Sequence, residues 1–185
     1  MKKILLFFAL AVGLLTSAST AMAQTLNMNS YITLTVKKNS AIKLNFKAAT
    51  RIPVRIVSGS NTQDIAVGTD WKGTASYTAG STTMIIYGDI TDFSCIQNYG
   101  NLTAIDPSHN TQLKNLNCYD NTLTSLDVSG CPQLTWLWCS NNTLTSLDVS
   151  GCTQLEMLFC YDNTLNSLDV SGCTQLTVLK CGDNN

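Results

Sequence analysis

The sequence predicts a mostly β protein, in which a small N-terminal antiparallel β domain covers one end of a β-solenoid with two short parallel strands per turn. Three observations lead there. Short alternating apolar runs fill residues 24–89, a 21-residue recurrence fills most of residues 90–185, and the charge changes sign between the two. The first part holds seven Lys/Arg against three Asp, and the second holds two Lys against nine acids. All eight cysteines lie in the second part.

Residues 1–23 read as a secretory signal peptide. Met1-Lys2-Lys3 is a basic start, Ile4 to Leu15 is an apolar run, and Ala21-Met22-Ala23 satisfies the small-x-small rule before Gln24. The run is too short for a membrane span, which needs about 20 residues. The expectation is a secreted or cell-surface protein without a transmembrane segment in its mature part.

From Gln24 to Asp89, runs such as Ile32-Thr33-Leu34-Thr35-Val36, Ile42-Lys43-Leu44-Asn45-Phe46 and Val54-Arg55-Ile56-Val57 alternate with period two. Breaks such as Lys38-Asn39-Ser40 separate them, the pattern of half-buried antiparallel strands.

Three full copies follow, at 113–133, 134–154 and 155–175, with a degenerate copy at 90–112 and a partial one at 176–185. Such a period predicts a solenoid whose turns bury their apolar sides against one another. Leu113, Leu116, Cys118, Leu123, Leu126, Val128 and Cys131 form the inward set of one turn. The repeat LxxLxCxxNxLxxLDVSxCxx resembles the bacterial leucine-rich repeats of secreted and surface proteins of Bacteroidetes-like bacteria. That resemblance covers Ile90 to Asn185. It implies a leucine-rich-repeat solenoid that serves binding or adhesion, with the basic β-rich segment as its end cap.

The invariant positions of the copies serve the repeating geometry. Those that vary in the first half alternate with Leu and Cys, so they face outward. They read Asn115, Asn117, Tyr119; Trp136, Trp138, Ser140; Met157, Phe159, Tyr161; Val178, Lys180, Gly182. One wall is thus varied and aromatic, while the other repeats Ser125, Asp127 and Ser129 as a uniform polar surface. An apolar patch with a polar rim marks an interaction site, and Trp and Tyr dominate binding hot spots. The expected ligand-binding residues are Trp136 and Trp138, flanked by Tyr119, Met157, Phe159 and Tyr161, with Asp120 and Asp162 as rim. Stacking along the sheet, or cover by another part of the chain, is the competing reading of the same rings.

Other chemistry is weakly represented. Charged residues are 12% of the chain and the net charge is −1, which speaks against a nucleic-acid partner. The single histidine, His109, falls at the place of Gly130, in an exposed turn, and no catalytic triad or phosphate loop accompanies it. No enzyme activity, cofactor or metal is expected. The cysteine columns (Cys95, Cys118, Cys139, Cys160 and Cys181; Cys131, Cys152 and Cys173) read as small buried hydrophobes, with neighbouring-turn disulfides as the lesser alternative. Asn98, Asn121, Asn142, Asn163 and Asn184 read as a structural ladder, and Asp127, Asp148 and Asp169 as turn acceptors, with a bound cation as the minor alternative. The sequence-based expectation is a non-catalytic module that recognises a protein ligand. A polysaccharide ligand, or a spacer role within a larger surface protein, stands as the alternative. The apolar edge of the last copy suggests further repeats or a C-terminal domain in a longer chain.

Overall fold

The computed structural model describes residues 24–185; the export signal read at 1–23 lies outside the described residues. Six strands precede the repeats: β1 (Tyr31–Val36), β2 (Ala41–Lys47), β3 (Ile52–Ser58), β4 (Asn61–Val67), β5 (Ala75–Thr78) and β6 (Thr83–Tyr87). Seven more belong to the turns: β7 (Asp92–Ser94), β8 (Leu102–Asp106), β9 (Asn115–Asn117), β10 (Ser125–Leu126), β11 (Trp136–Trp138), β12 (Met157–Phe159) and β13 (Val178–Lys180). Alternation dictates the first set. Ile32 and Leu34, Ile42 and Leu44, Val54 and Ile56, and Met84 and Ile86 are all buried, while their neighbours in sequence face outward.

Two sheets enclose one core. The first runs β13-β12-β11-β9-β7-β2-β5 and the second β10-β8-β1-β6-β3-β4. Both continue across residues 89–90, because β2 pairs antiparallel with β7 and β1 pairs antiparallel with β8. The basic segment therefore extends the walls of the solenoid and covers the interior of its first turn. Asn98 reinforces the junction. Its Oδ1 accepts from the backbone N–H of Lys43 at 2.7 Å, and its Nδ2 donates to the Lys43 carbonyl at 3.0 Å. His109 adds a ring stacked on Tyr31, with centroids 4.4 Å apart.

Within the repeats, β7, β9, β11, β12 and β13 form an in-register parallel ladder. The inward set is as the sequence predicts: Leu113, Leu116, Cys118, Leu123, Val128 and Cys131 are fully buried and Leu126 is 6% exposed. The second wall is thinner than one strand per half turn. After β8 and β10 it continues as a single bridge, Asp127 to Asp148, with bonds such as Thr143 N–H to Leu123 O and Thr164 N–H to Leu144 O. The cause is local. Asp127, Asp148 and Asp169 each accept the N–H of the residue two further on (Ser129, Ser150 and Ser171) at 2.8–3.0 Å. Such turns compete with ladder bonding.

The asparagine ladder holds the opposite corner. Asn142 Nδ2 donates to the carbonyls of Cys118, Cys139 and Ser140 at 3.0–3.1 Å, and its Oδ1 accepts from Leu123 N–H at 2.9 Å. Asn121, Asn163 and Asn184 repeat this arrangement. One amide thus satisfies backbone groups of two successive turns, groups that are costly to bury unpaired.

Glycine closes the turn between copies. A Cβ on Gly130 would stand 2.0 Å from the Ser108 carbonyl oxygen, and one on Gly151 2.5 Å from that of Ser129. His109 occupies the same place in the degenerate copy, where no earlier copy lies beneath it.

Replacing Asn142 by Ala should cost about 2–4 kcal/mol of unfolding free energy, since it strands several buried backbone groups. Asn184→Ala, at the more exposed last rung, should cost under about 1 kcal/mol. Urea denaturation of both variants measures the difference, and equal losses would mean that the amides do not bridge turns.

Candidate functional site

The aromatic strip occupies the outer face of the first sheet, on β9, β11 and β12 and the residues that follow them. Register sets its order: Trp136 lies between Asn115 and Met157, and Trp138 between Asn117 and Phe159. Tyr119, Trp138 and Phe159 run across three turns in contact. Tyr119 stacks on Trp138 with centroids 4.8 Å apart, and Phe159 tilts against it at 5.5 Å. Trp136 tilts against Trp138 at 6.1 Å. Met157 is 39% exposed, while Trp136, Trp138, Phe159, Tyr119 and Tyr161 are half-buried.

The strip is therefore less open than strand phase alone suggests. Ser140, an outward position, is 0% exposed, and its hydroxyl has no hydrogen-bond partner. The Nε1–H groups of Trp136 and Trp138 and the Oδ1 of Asn117 are likewise covered and unpartnered. Bulky rings crowd one another and the small outward Ser140 is covered, which periodicity does not register.

Asp120 and Asp162 lie where the chain leaves the strip, together with Asn141 and Asp183. All four have left-handed backbones, with φ of 57°, 51°, 53° and 53° respectively. Asn and Asp tolerate that conformation best among residues with a Cβ. Asn141 Nδ2 also donates to Asp120 Oδ1 at 2.8 Å. The residue types of the rim thus answer in part to the backbone.

Tyr99 was not singled out by the sequence pattern, yet it is 58% exposed and bridges to Asn121 on the same corner. The signal for it is the two-residue insertion near Tyr99-Gly100 in the degenerate copy.

The other constellations are structural. All eight cysteines are free thiols. Cys95, Cys118, Cys139 and Cys160 are fully buried in one column, and Cys131, Cys152 and Cys173 are buried in the other. Burial pushes the Cys131, Cys152 and Cys160 thiols up to about 12, and Cys95, Cys118 and Cys139 well above their ordinary value. The thiolate, which is the reactive and metal-binding form, is thus suppressed. Cys131, Cys152 and Cys173 instead point their Sγ at carbonyls of the preceding turn at 3.4 Å. His109 contacts the Ser108 hydroxyl at 3.2 Å in an exposed turn. Among the described residues no group of three or more His, Cys, Asp or Glu side chains is arranged to hold a metal.

The family-model match agrees with this architecture. Residues 119–135 and 140–155 match the Leucine Rich repeat family model. A solved structure, the functional domain of InlJ from Listeria monocytogenes, described as including a cysteine ladder, is 38% identical over 49% of this chain, with a TM-score of 0.38. The match spans 25% of that longer chain. No curated protein matches the sequence. Matched repeats and an all-strand solenoid make the fold of leucine-rich-repeat type.

Two measurements check the chemistry of these columns and turns. A maleimide should label Cys181, the one exposed cysteine, in the native protein and all eight after unfolding; fast native labelling of a second thiol would contradict the burial. Bonds from Ser129, Ser150 and Ser171 hold the carboxyls of Asp127, Asp148 and Asp169 below their ordinary value of 3.8. Because the folded values are depressed, that stabilisation is complete above the unfolded value and fades as pH falls through the folded ones. Urea stability should therefore drop below about pH 4, and less steeply in the Asp127→Asn/Asp148→Asn/Asp169→Asn protein.

Proposed function

We propose that this protein is an exported, non-catalytic recognition module that binds a protein ligand through the aromatic strip. Trp136 and Trp138 are the anchors, Tyr119, Met157, Phe159 and Tyr161 the flanks, and Asp120 and Asp162 the polar rim. One observation carries the reading: half-buried rings from three successive turns form a continuous outer surface on one wall, while the other wall presents exposed Ser125, Asp127 and Ser129. A repeating scaffold needs no such difference between its walls. Leucine-rich repeats commonly serve protein interaction, and the repeats matched here are of that type. Bacterial surface or secreted placement rests on the sequence of residues 1–23 and on the repeat motif.

The ring contacts favour a second reading, in which the strip is a stabilising ladder on a spacer. Each aromatic pair contributes about 0.5–1.5 kcal/mol, so the two readings differ in what Trp138→Ala removes. On the recognition reading the variant, which breaks three ring contacts, should lose about 1.5–4.5 kcal/mol of stability and also lose binding in a screen against arrayed matrix proteins and polysaccharides. Leu137→Ala, at a fully buried site, should cost about 2–5 kcal/mol. If Trp138→Ala destabilises as much as Leu137→Ala and leaves every interaction intact, the strip is architecture. Retention of polysaccharides alone would replace the protein ligand with a glycan.

A further inference from the structure

The strip is bordered by carboxylates that the protein leaves uncompensated. Among the described residues the ion pairs are Lys47–Asp92 and Arg55–Asp64; Asp120, Asp162 and Asp183 have none. The backbone does not require their charge, because Asn141 holds the same left-handed conformation between Asp120 and Asp162. The repeats as a whole carry nine acids against two lysines. Negative potential over an aromatic surface attracts and orients cations.

Two further observations point the same way. The surface already holds one ammonium, since Lys180 Nζ lies 5.6 Å from the centroid of the Phe159 ring. On the same wall, Asn117 Oδ1 and the fully covered Ser140 hydroxyl lack partners, and both accept hydrogen bonds. Lys and Arg side chains only donate. The Nε1–H groups of Trp136 and Trp138 are unpartnered as well but covered, so they donate to an acceptor such as a peptide carbonyl only once the rings turn outward. A neutral sugar offers hydroxyls to the same rim but gains nothing from the excess charge.

We infer that the occupant of the strip is a basic polypeptide segment, one of whose Lys or Arg side chains lies over Trp138 between Asp120 and Asp162. The inference rests on the recognition reading above and narrows it to one partner chemistry.

Isothermal titration of the purified full chain tests it with four probes. Three are synthetic ten-residue peptides of one Gly/Ser pattern carrying Lys and Arg, Gln, or Glu at alternate positions; the fourth is a neutral glucan oligosaccharide. The basic peptide should bind alone, and raising the salt from about 50 mM to about 500 mM should weaken it roughly tenfold. Asp120→Asn/Asp162→Asn should weaken it by roughly tenfold or more with an unchanged melting temperature, and Trp138→Ala should abolish it. Equal binding of the Gln peptide, preference for the oligosaccharide, an unaffected Asn variant or no binding of the basic peptide would each overturn the inference. If Trp138→Ala abolishes binding of one of those other probes, the strip remains a recognition surface. Binding that survives both variants would overturn the two readings together.

Discussion

Amide hydrogen bonding by the ladder asparagines is the constraint on which the rest of the structure depends. As each first-wall strand ends, the chain turns through a left-handed residue and leaves backbone carbonyls directed into the core. The amide of Asn142 takes up three of them and accepts one N–H of the preceding turn. This fixes where each turn bends, and so which residues of β9, β11 and β12 face inward. The outward placement of the two indoles follows from amides on the opposite side of the backbone. At the junction, Asn98 uses the same groups to grip β2, so the basic segment is docked by the device that stacks the repeats.

Much of this was legible in the sequence because it repeats. Three near-identical copies reveal the inward set without an alignment, since a position that never changes is serving geometry; Leu116, Cys118 and Leu126 are buried as that reasoning requires. The early strands were legible from alternation, which locates Ile32-Thr33-Leu34-Thr35-Val36 within β1. Long-range pairing was not. That β1 joins β8 and β2 joins β7 depends on which open edges meet, and no local pattern encodes it. The thin second wall was hidden for another reason. Leu126 and Val128 alternate as a strand should, but Asp127 spends its side chain on a local turn.

For the candidate site, strand phase predicts direction well and exposure poorly. Trp136, Trp138 and Phe159 do lie on the outer face, yet each leans on its neighbours, and Ser140 is covered completely. Exposure depends on the sizes of residues 21 positions away as much as on alternation. The cysteine columns show the complementary case. A small side chain beneath a tight stack suits an interior where each turn must match the next, and burial removes the reactivity that eight thiols would otherwise bring.

The close approach at Gly130 has a consequence for how such a chain can lengthen. A copy with a side chain at that place leaves no room for the serine carbonyl of a preceding copy, so the unit containing His109, whose ring lies on Tyr31 instead, stands at the start of the array. Duplication or loss of whole units is sterically free on its downstream side alone. Each such event would carry the indole pair nearer to, or farther from, the basic end without disturbing the joint that holds the two together.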